Sequence, residues 1–205
     1  MPFSMEANMK TKFLLLVILF LFTAMAVAQT TIKKYDIKSG IVTFETTSKV
    51  GGMEMKMKSI VYFDDYGIKE CKETYTGDKL LRSHFSDGKN LYTIIFSTKT
   101  ARSEGKAFRG TEVRVDWQEF GTEKDRESGM IKKMPAMTVA GKTCEVYQTD
   151  DGKGMIATYA GWNKILLYLD VQTKGLRTTQ EAVKVEENVK VPLDKFIVPA
   201  GYKIQ

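Results

Sequence analysis

Hydrophobic and polar residues alternate along most of the chain beyond residue 40, which is the pattern of half-buried β-strands. The clearest case is residues 53–58, where Met53, Met55 and Met57 alternate with charged side chains. Successive side chains of a strand point to opposite faces, so the three methionines share one face and the charges share the other. Gly51-Gly52 directly before this run predicts a tight hairpin turn.

Similar runs, separated by turn residues such as Asp, Asn and Gly, recur before and after the middle of the chain. They are residues 41–47, 53–63, 68–75, 80–86, 91–96, 143–149, 155–160 and 165–171, and a long last run follows Gly175. Connections this short require antiparallel neighbours, because a parallel crossover needs a dozen residues or more. The pattern therefore predicts a mainly β (α+β) chain with one antiparallel sheet, which either closes into a barrel or curls around a helix.

The middle of the chain departs from the strand pattern. Val113, Trp117 and Phe120 are spaced i, i+4 and i+7 among charged residues, which predicts a short amphipathic helix. The apolar residues after Gly129 predict one further helical turn that ends before Pro135, formed by Met130, Ile131 and Met134. The sheet is therefore expected to contain a short helical insertion.

The first 28 residues have the features of a cleavable secretory signal peptide. Lys10 and Lys12 precede an uninterrupted apolar run at residues 13–22, and Ala26-x-Ala28 stands directly before Gln29. The apolar run is shorter than the roughly 20 residues that a membrane-spanning helix needs. We therefore expect cleavage near Ala28, and one domain at residues 29–205 that is periplasmic or secreted.

Charge and cysteine content narrow the classes of function. The formal net charge is +6, but the lysines alternate with acidic residues instead of forming a basic cluster, so nucleic acid is not an expected partner. An oxidising compartment permits a disulfide between Cys71 and Cys144. Two separate buried thiols are the alternative, because sequence alone does not place the two Cα atoms within bridging distance.

Catalytic and metal-binding residues are sparse. His84 is the single histidine, and no orienting partner stands near it in sequence, so a nucleophile–histidine site is not indicated. One histidine and two distant cysteines do not make a zinc site. The aspartate pairs at 64–65 and 150–151 adjoin glycines in turns, where aspartate bonds to the local backbone. We predict no enzyme activity, no cofactor and no metal.

The chain resembles the outer-membrane lipoprotein-carrier superfamily, and within it the secreted relatives of unknown function. The segments behind this resemblance are SGIVTFE at 39–45, IVYFDDYGIKE at 60–70, VAGKTCEVY at 139–147, GWNKILLYLDV at 161–171 and FIVPAGYKI at 196–204. The resemblance implies an incomplete antiparallel barrel of about nine to eleven strands, wrapped around helices. It also implies an apolar concave face that holds acyl chains, and a location in the periplasm.

The expected ligand is therefore a lipid, a lipidated peptide or another hydrophobic molecule, with the envelope membrane surface or a lipoprotein as a further partner. Methionine suits changeable apolar ligands because it is flexible and polarisable. The candidate lining residues are Met53, Met55, Met57, Phe63, Trp117, Phe120, Met130, Ile131 and Met134. Two alternatives stay open: these residues fill an ordinary core, or the protein is a non-enzymatic interaction or structural module of the cell envelope.

Overall fold

The computed structural model describes residues 33–107 and 120–205. Their main elements are twelve strands and one short helix. The strands are β1 Gly40–Val50, β2 Met53–Asp64, β3 Lys69–Thr76, β4 Lys79–Ser86, β5 Asn90–Ile95, β6 Thr100–Lys106, β7 Ile131–Val139, β8 Lys142–Asp150, β9 Ile156–Trp162, β10 Ile165–Thr173, β11 Leu176–Glu187 and β12 Lys203–Ile204. The helix, α1, is Glu123–Glu127 and lies between β6 and β7.

All twelve strands belong to one open sheet, in the order β12-β6-β5-β4-β3-β2-β1-β11-β10-β9-β8-β7. Two antiparallel meanders, β1–β6 and β7–β11, are joined where β1 pairs with β11. The predicted mainly β fold with an incomplete barrel is confirmed, with twelve strands where about nine to eleven were expected. β7 approaches β11 although three strands separate them in the sheet, so the sheet curls on this side.

The hairpin turns follow from the residues that occupy them. Gly51 and Gly52 have φ angles of 53° and 85°, the left-handed pair that a two-residue hairpin loop requires. Asn163 and Lys164 form the turn between β9 and β10 with φ angles of 47° and 63°. Because both turns contain just two residues, the registers of the β1–β2 and β9–β10 hairpins are fixed locally.

Buried side chains form two clusters. The larger contains Val42, Phe44, Phe63, Leu167 and residues of the segment that precedes β1. The smaller surrounds Cys71 and Phe85 and is covered by the C-terminal segment through Val191 and Phe196. Full burial of a side chain such as Phe63 or Leu167 stabilises the fold by about 1.5–3 kcal/mol, so these clusters hold the sheet against its two chain ends.

The helical insertion differs from its prediction. Helix α1 has five residues, none of them buried, and Thr122 caps its first turn, so the sheet does not wrap around this helix. Val113 and Trp117 of the predicted helix lie outside the described residues. The predicted helical turn at residues 130–134 is wrong, because Ile131–Val139 is the strand β7. Pro135 fits there since β7 is an edge strand and its pairing with β8 shifts register between Met134 and Met137.

Candidate functional site

One face of the sheet is free of charged residues across four neighbouring strands. On β1 and β2 the residues directly opposite each other are Val50 and Met53, Ser48 and Met55, and Thr46 and Met57. Directly paired residues of an antiparallel sheet point to the same side, so the rows continue across β11 and β10. We call this surface the neutral face; its residues are 46, 48 and 50 of β1, 53, 55 and 57 of β2, 169, 171 and 173 of β10, and 176, 178 and 180 of β11.

The opposite face of the same four strands is strongly charged. It carries Glu45, Lys49, Glu54, Lys56, Lys58, Asp170, Arg177 and Glu181. Ion pairs join several of these side chains, including Lys49 with Glu54 and Arg177 with Asp170. This second face is an ordinary solvated surface, so the contrast between the two faces isolates the neutral face as the unusual one.

The neutral face is exposed where it carries its largest apolar side chains. Met53 is 70% exposed, Met55 56% and Met57 37%, and Val50 and Leu176 are exposed to a similar extent as Met57. The alternative that the three methionines form an ordinary core is therefore wrong for these residues. A contiguous exposed apolar surface of this kind marks a site of ligand or protein binding.

An open recess of about 370 Å³ lies at the end of the neutral face, between the β1–β2 and β10–β11 turns. Thr173 and Leu176 of the neutral face contribute to its wall, together with Gly51, Gly52 and Gly175 of the two turns. Lys49, Gln172 and Arg177 supply polar groups at its rim. The recess has the size of a small ligand pocket, although it is open to solvent.

The predicted lining residues do not all meet on this surface. Phe63 lies on the same face of β2 as the methionines, but it is buried in the larger core cluster at 1% exposure. Ile131 lies on the neutral side, since it pairs with Thr149 in the row of Ala157 and Val171. Met134 has the opposite parity on the chain and pairs with Val146, so it points to the other side, whereas Met130 precedes the strand.

Aromatic residues extend the neutral face toward β8. Leu169 of β10 pairs with Tyr159, which in turn pairs with Tyr147. The ring of Phe120 stacks on Tyr147 with 5.0 Å between centroids and lies 5.2 Å from the ring of Tyr159. Phe120 therefore covers this end of the surface, while its predicted companion Trp117 lies outside the described residues.

A basic cluster lies on the same side of β2, beyond the methionines. The row that begins at Val42 and Val61 continues directly to Lys72, His84, Thr93 and Arg102. The next row passes from Phe44 and Ser59 through Thr74 to Arg82. We call Lys72, Arg82, His84 and Arg102 the basic cluster. The cluster is not apparent from the sequence, because these residues are distant in the chain and only the register of β3–β6 brings them together.

The positive charges of the basic cluster lower the pKa values of its own members. Desolvation lowers the pKa of His84, and the positive charges of Arg82 and Lys72 lower it further against the opposing effect of Glu104. Desolvation and the charge of Arg82 also lower the pKa of Lys72, although Glu70 raises it. Arg102 pairs with Glu104 at 3.5 Å, whereas neither Lys72 nor Arg82 forms an ion pair with an acidic side chain of the described residues. The cluster thus holds more positive charge than its acidic neighbours neutralise.

Ser59 occupies the boundary between the neutral face and the basic cluster. It is 4% exposed, and its hydroxyl has no hydrogen-bond partner among the described side chains and backbone groups. A buried polar group without a partner costs about 1–3 kcal/mol.

His84 belongs to a hydrogen-bond network that could be mistaken for a catalytic triad. Thr93 Oγ1 lies 2.7 Å from Nδ1 of His84 and 3.0 Å from the carboxylate of Glu104. In a catalytic triad the histidine accepts the nucleophile's proton and stands between nucleophile and acid. Here the hydroxyl of Thr93 stands between the histidine and the carboxylate, which is not the order of a triad.

The two cysteines are free thiols that lie in different core clusters, so the disulfide considered from the sequence is not formed. Burial raises the pKa of Cys71 to about 11 and also raises the pKa of Cys144. Within residues 33–107 and 120–205, no group of three or more His, Cys, Asp or Glu side chains is arranged to hold a metal ion. No helix in those ranges has the length and hydrophobicity to cross a membrane.

Comparison with known proteins gives matches among solved structures. An uncharacterised conserved protein from Thermus thermophilus superposes with a TM-score of 0.53 at 8% identity, over 82% of this chain and 90% of that one. The MucA/MucB complex of Pseudomonas aeruginosa matches with a TM-score of 0.46 at 10% identity, over 82% of this chain and 58% of that one. A LolA superfamily protein from Nitrosomonas europaea matches at 0.39 and 11%, over 83% and 97%.

The likeness is one of fold. The matched structures include members of the lipoprotein-carrier superfamily that the sequence resembles. No family model matches the chain, and no curated protein matches it either. At these identities the comparisons support an open, mostly antiparallel sheet, and the ligand has to be argued from the surface of this chain.

Proposed function

We propose that the protein is an exported binding protein of the cell envelope that holds a lipid, a lipidated peptide or another hydrophobic molecule on the neutral face. The observation that carries this proposal is the exposure of three neighbouring methionines, 37–70%, on a face without charged residues. Their unbranched side chains adapt to ligands of irregular shape. Burial of this surface supplies about 25 cal/mol for each Å² removed from water.

Three further features support this proposal. The neutral face extends over four strands and continues into the Tyr147–Tyr159 pair, so a long acyl chain can lie along it. The recess at the hairpin end offers polar groups beside apolar wall residues, which is the usual composition of a ligand site. The signal-peptide pattern of residues 1–28 agrees with a periplasmic or secreted location.

The direct test uses residues 29–205, purified after export, and native mass spectrometry with palmitoyl lysophosphatidylcholine below its critical micelle concentration. We expect a one-to-one complex. The variant with Met53→Gln, Met55→Gln and Met57→Gln should bind at least about tenfold more weakly, because it loses on the order of 1.4 kcal/mol of apolar contact. Its stability should hardly change, since these side chains are exposed.

The matched control is Leu193→Gln with Ile197→Gln. These residues are 70% and 59% exposed, but they lie on the C-terminal segment and outside the neutral face. Wild-type affinity in this control, together with weak binding in the methionine variant, supports the proposal. Absence of any complex with the wild-type protein, both as purified and after addition of lipid, would overturn it and leave the interaction module as the remaining interpretation.

A further inference from the structure

The neutral face and the basic cluster share one side of β2, which constrains the polar part of the ligand. Met53, Met55 and Met57 lie on the same side of this strand as Val61, since every second residue points the same way and the pairing of β2 with β1 and β3 is regular. Val61 stands directly opposite Lys72, which stands directly opposite His84. The surface therefore changes from apolar to basic within one strand spacing.

The distance between the two regions suits a single amphiphilic molecule. Arg82 is two strands from Ser59, and Ser59 is two residues from Met57 on β2. With about 4.8 Å between strands and about 6.8 Å for two residues along a strand, the Cα atoms of Arg82 and Met57 are roughly 12 Å apart. The long side chains of both residues span much of this gap, so a headgroup at Arg82 leaves its acyl chain beside Met57.

The charges in the cluster specify the sign of that headgroup. Lys72 and Arg82 have no acidic partner at ion-pair distance among the described residues, and both repel a proton from His84. An anion placed between them removes this mutual repulsion, and an arginine can hold a phosphate or carboxylate through two parallel hydrogen bonds.

We propose that the ligand is an anionic amphiphile, whose phosphate or carboxylate headgroup is bound by Lys72 and Arg82 while its acyl chain lies on the neutral face. This inference rests on the proposed function and adds the charge class of the ligand. It predicts that charge at the basic cluster sets selectivity between headgroups, whereas the methionines set affinity for all acyl chains.

The test compares palmitoyl lysophosphatidylglycerol, which is anionic, with palmitoyl lysophosphatidylcholine, which is zwitterionic and has the same chain. We expect the wild-type protein to prefer the anionic lipid by about tenfold at low salt, as measured by titration calorimetry below the critical micelle concentrations. The Lys72→Gln, Arg82→Gln variant should lose most of this preference and keep its affinity for lysophosphatidylcholine.

The matched control is Lys56→Gln with Lys58→Gln, which removes the same amount of charge from the opposite face of β2. It should retain the preference for the anionic lipid. If this control loses the preference to the same extent as the Lys72, Arg82 variant, net charge alone attracts the lipid and the proposed headgroup site is wrong. Equal affinity of the wild-type protein for both lipids also refutes the site, but it leaves the proposed function intact.

His84 supplies an independent readout, because it is the single histidine of the chain and gives one set of imidazole resonances. Its pKa in the free protein is lowered by desolvation and by Arg82 and Lys72. Bound lysophosphatidylglycerol should raise this pKa, since the anion offsets both positive charges. Glycerol phosphate, the headgroup without a chain, should leave the pKa unchanged at the same concentration; an equal shift would indicate a site for free anions and overturn the proposal.

Discussion

Burial decides the chemistry of the two cysteines at the scale of the residue. Both side chains are 1% exposed, and Cys71 contacts the hydroxyl of Ser83 at 3.1 Å. Desolvation raises the pKa of each thiol, so the reactive thiolate is scarce at neutral pH. The cysteines therefore act as small hydrophobic residues in separate clusters, even though the expected compartment is oxidising.

We expect neither cysteine to react with iodoacetamide in the folded protein at about pH 7.5. Both should react within minutes once the protein is unfolded in about 6 M guanidinium chloride. Intact mass spectrometry counts the added groups. Met55→Cys is a suitable positive control, because this position is 56% exposed and its thiol should be alkylated in the native state. A disulfide-linked Cys71–Cys144 product, or fast native alkylation of either residue, would contradict this assignment.

The C-terminal segment shows how one buried ion pair attaches an element to the sheet. The short 3₁₀ turn Leu193–Phe196 places Lys195 over β3, where its ammonium group bonds Glu73 at 2.6 Å. Tyr75 donates a second hydrogen bond to the same carboxylate, and Glu73 is 5% exposed. Desolvation lowers the pKa of Lys195, but the hydrogen bond and charge of Glu73 outweigh this effect and the pKa is raised.

Lys195→Met should destabilise the protein by about 1–3 kcal/mol, because it leaves the buried Glu73 without a counter-charge. Urea unfolding monitored by circular dichroism measures this loss. Lys190→Met on the same segment is the control, and its exposed side chain predicts a change within about 0.5 kcal/mol. Equal stabilities of the two variants would show that the ion pair does not hold the segment to the sheet.

Local signals account for the elements that the sequence predicted well. The β1–β2 hairpin was predictable because its glycine turn and its alternation act within a few residues. β6 was missed because the run TARSEGK has a single buried residue, Ala101, and is held by its neighbours. The sequence predicts a helical turn at the start of β7 because Pro135 suggests an end, whereas pairing with β8 decides the conformation of this segment.

The candidate site, too, has one part that local sequence predicts and another that depends on strand pairing. Alternation alone put Met53, Met55 and Met57 on one face, but it could not tell whether that face was covered. The basic cluster depends on the register of four strands, since Lys72, Arg82 and Arg102 carry no common local pattern. The sequence thus predicted which residues share a face of each strand. The order and register of the strands were needed to place the neutral face beside the basic cluster.

The whole molecule depends on the junction between its two meanders. In the described sheet, β1 pairs with β2 on one side and with β11 on the other, so both halves of the neutral face meet at this strand. The pairing of Gly40 with Glu187 and of Val50 with Leu176 joins residues far apart in sequence. Such non-local pairing costs loop entropy before it contributes stability, so its packing has to be close.

Gly40 is the position where this packing is tightest. A Cβ atom at Gly40 would lie 2.6 Å from Cζ of Phe63 and 2.8 Å from the carbonyl oxygen of Glu186, so neither meander has room for it. Gly40→Ala should therefore lower the free energy of unfolding by about 1–3 kcal/mol through overpacking at the junction. Urea unfolding of the purified domain measures the change.

Gly51→Ala separates this effect from the general cost of replacing glycine. Its added methyl group meets nothing within 4 Å, and the residue has a φ angle of 53° in the exposed turn, so the expected cost is about 1 kcal/mol of backbone strain. A stability of Gly40→Ala equal to that of the wild-type protein would mean that the ring of Phe63 and the backbone at Glu186 move to accommodate the methyl group, and that the junction is not tightly packed.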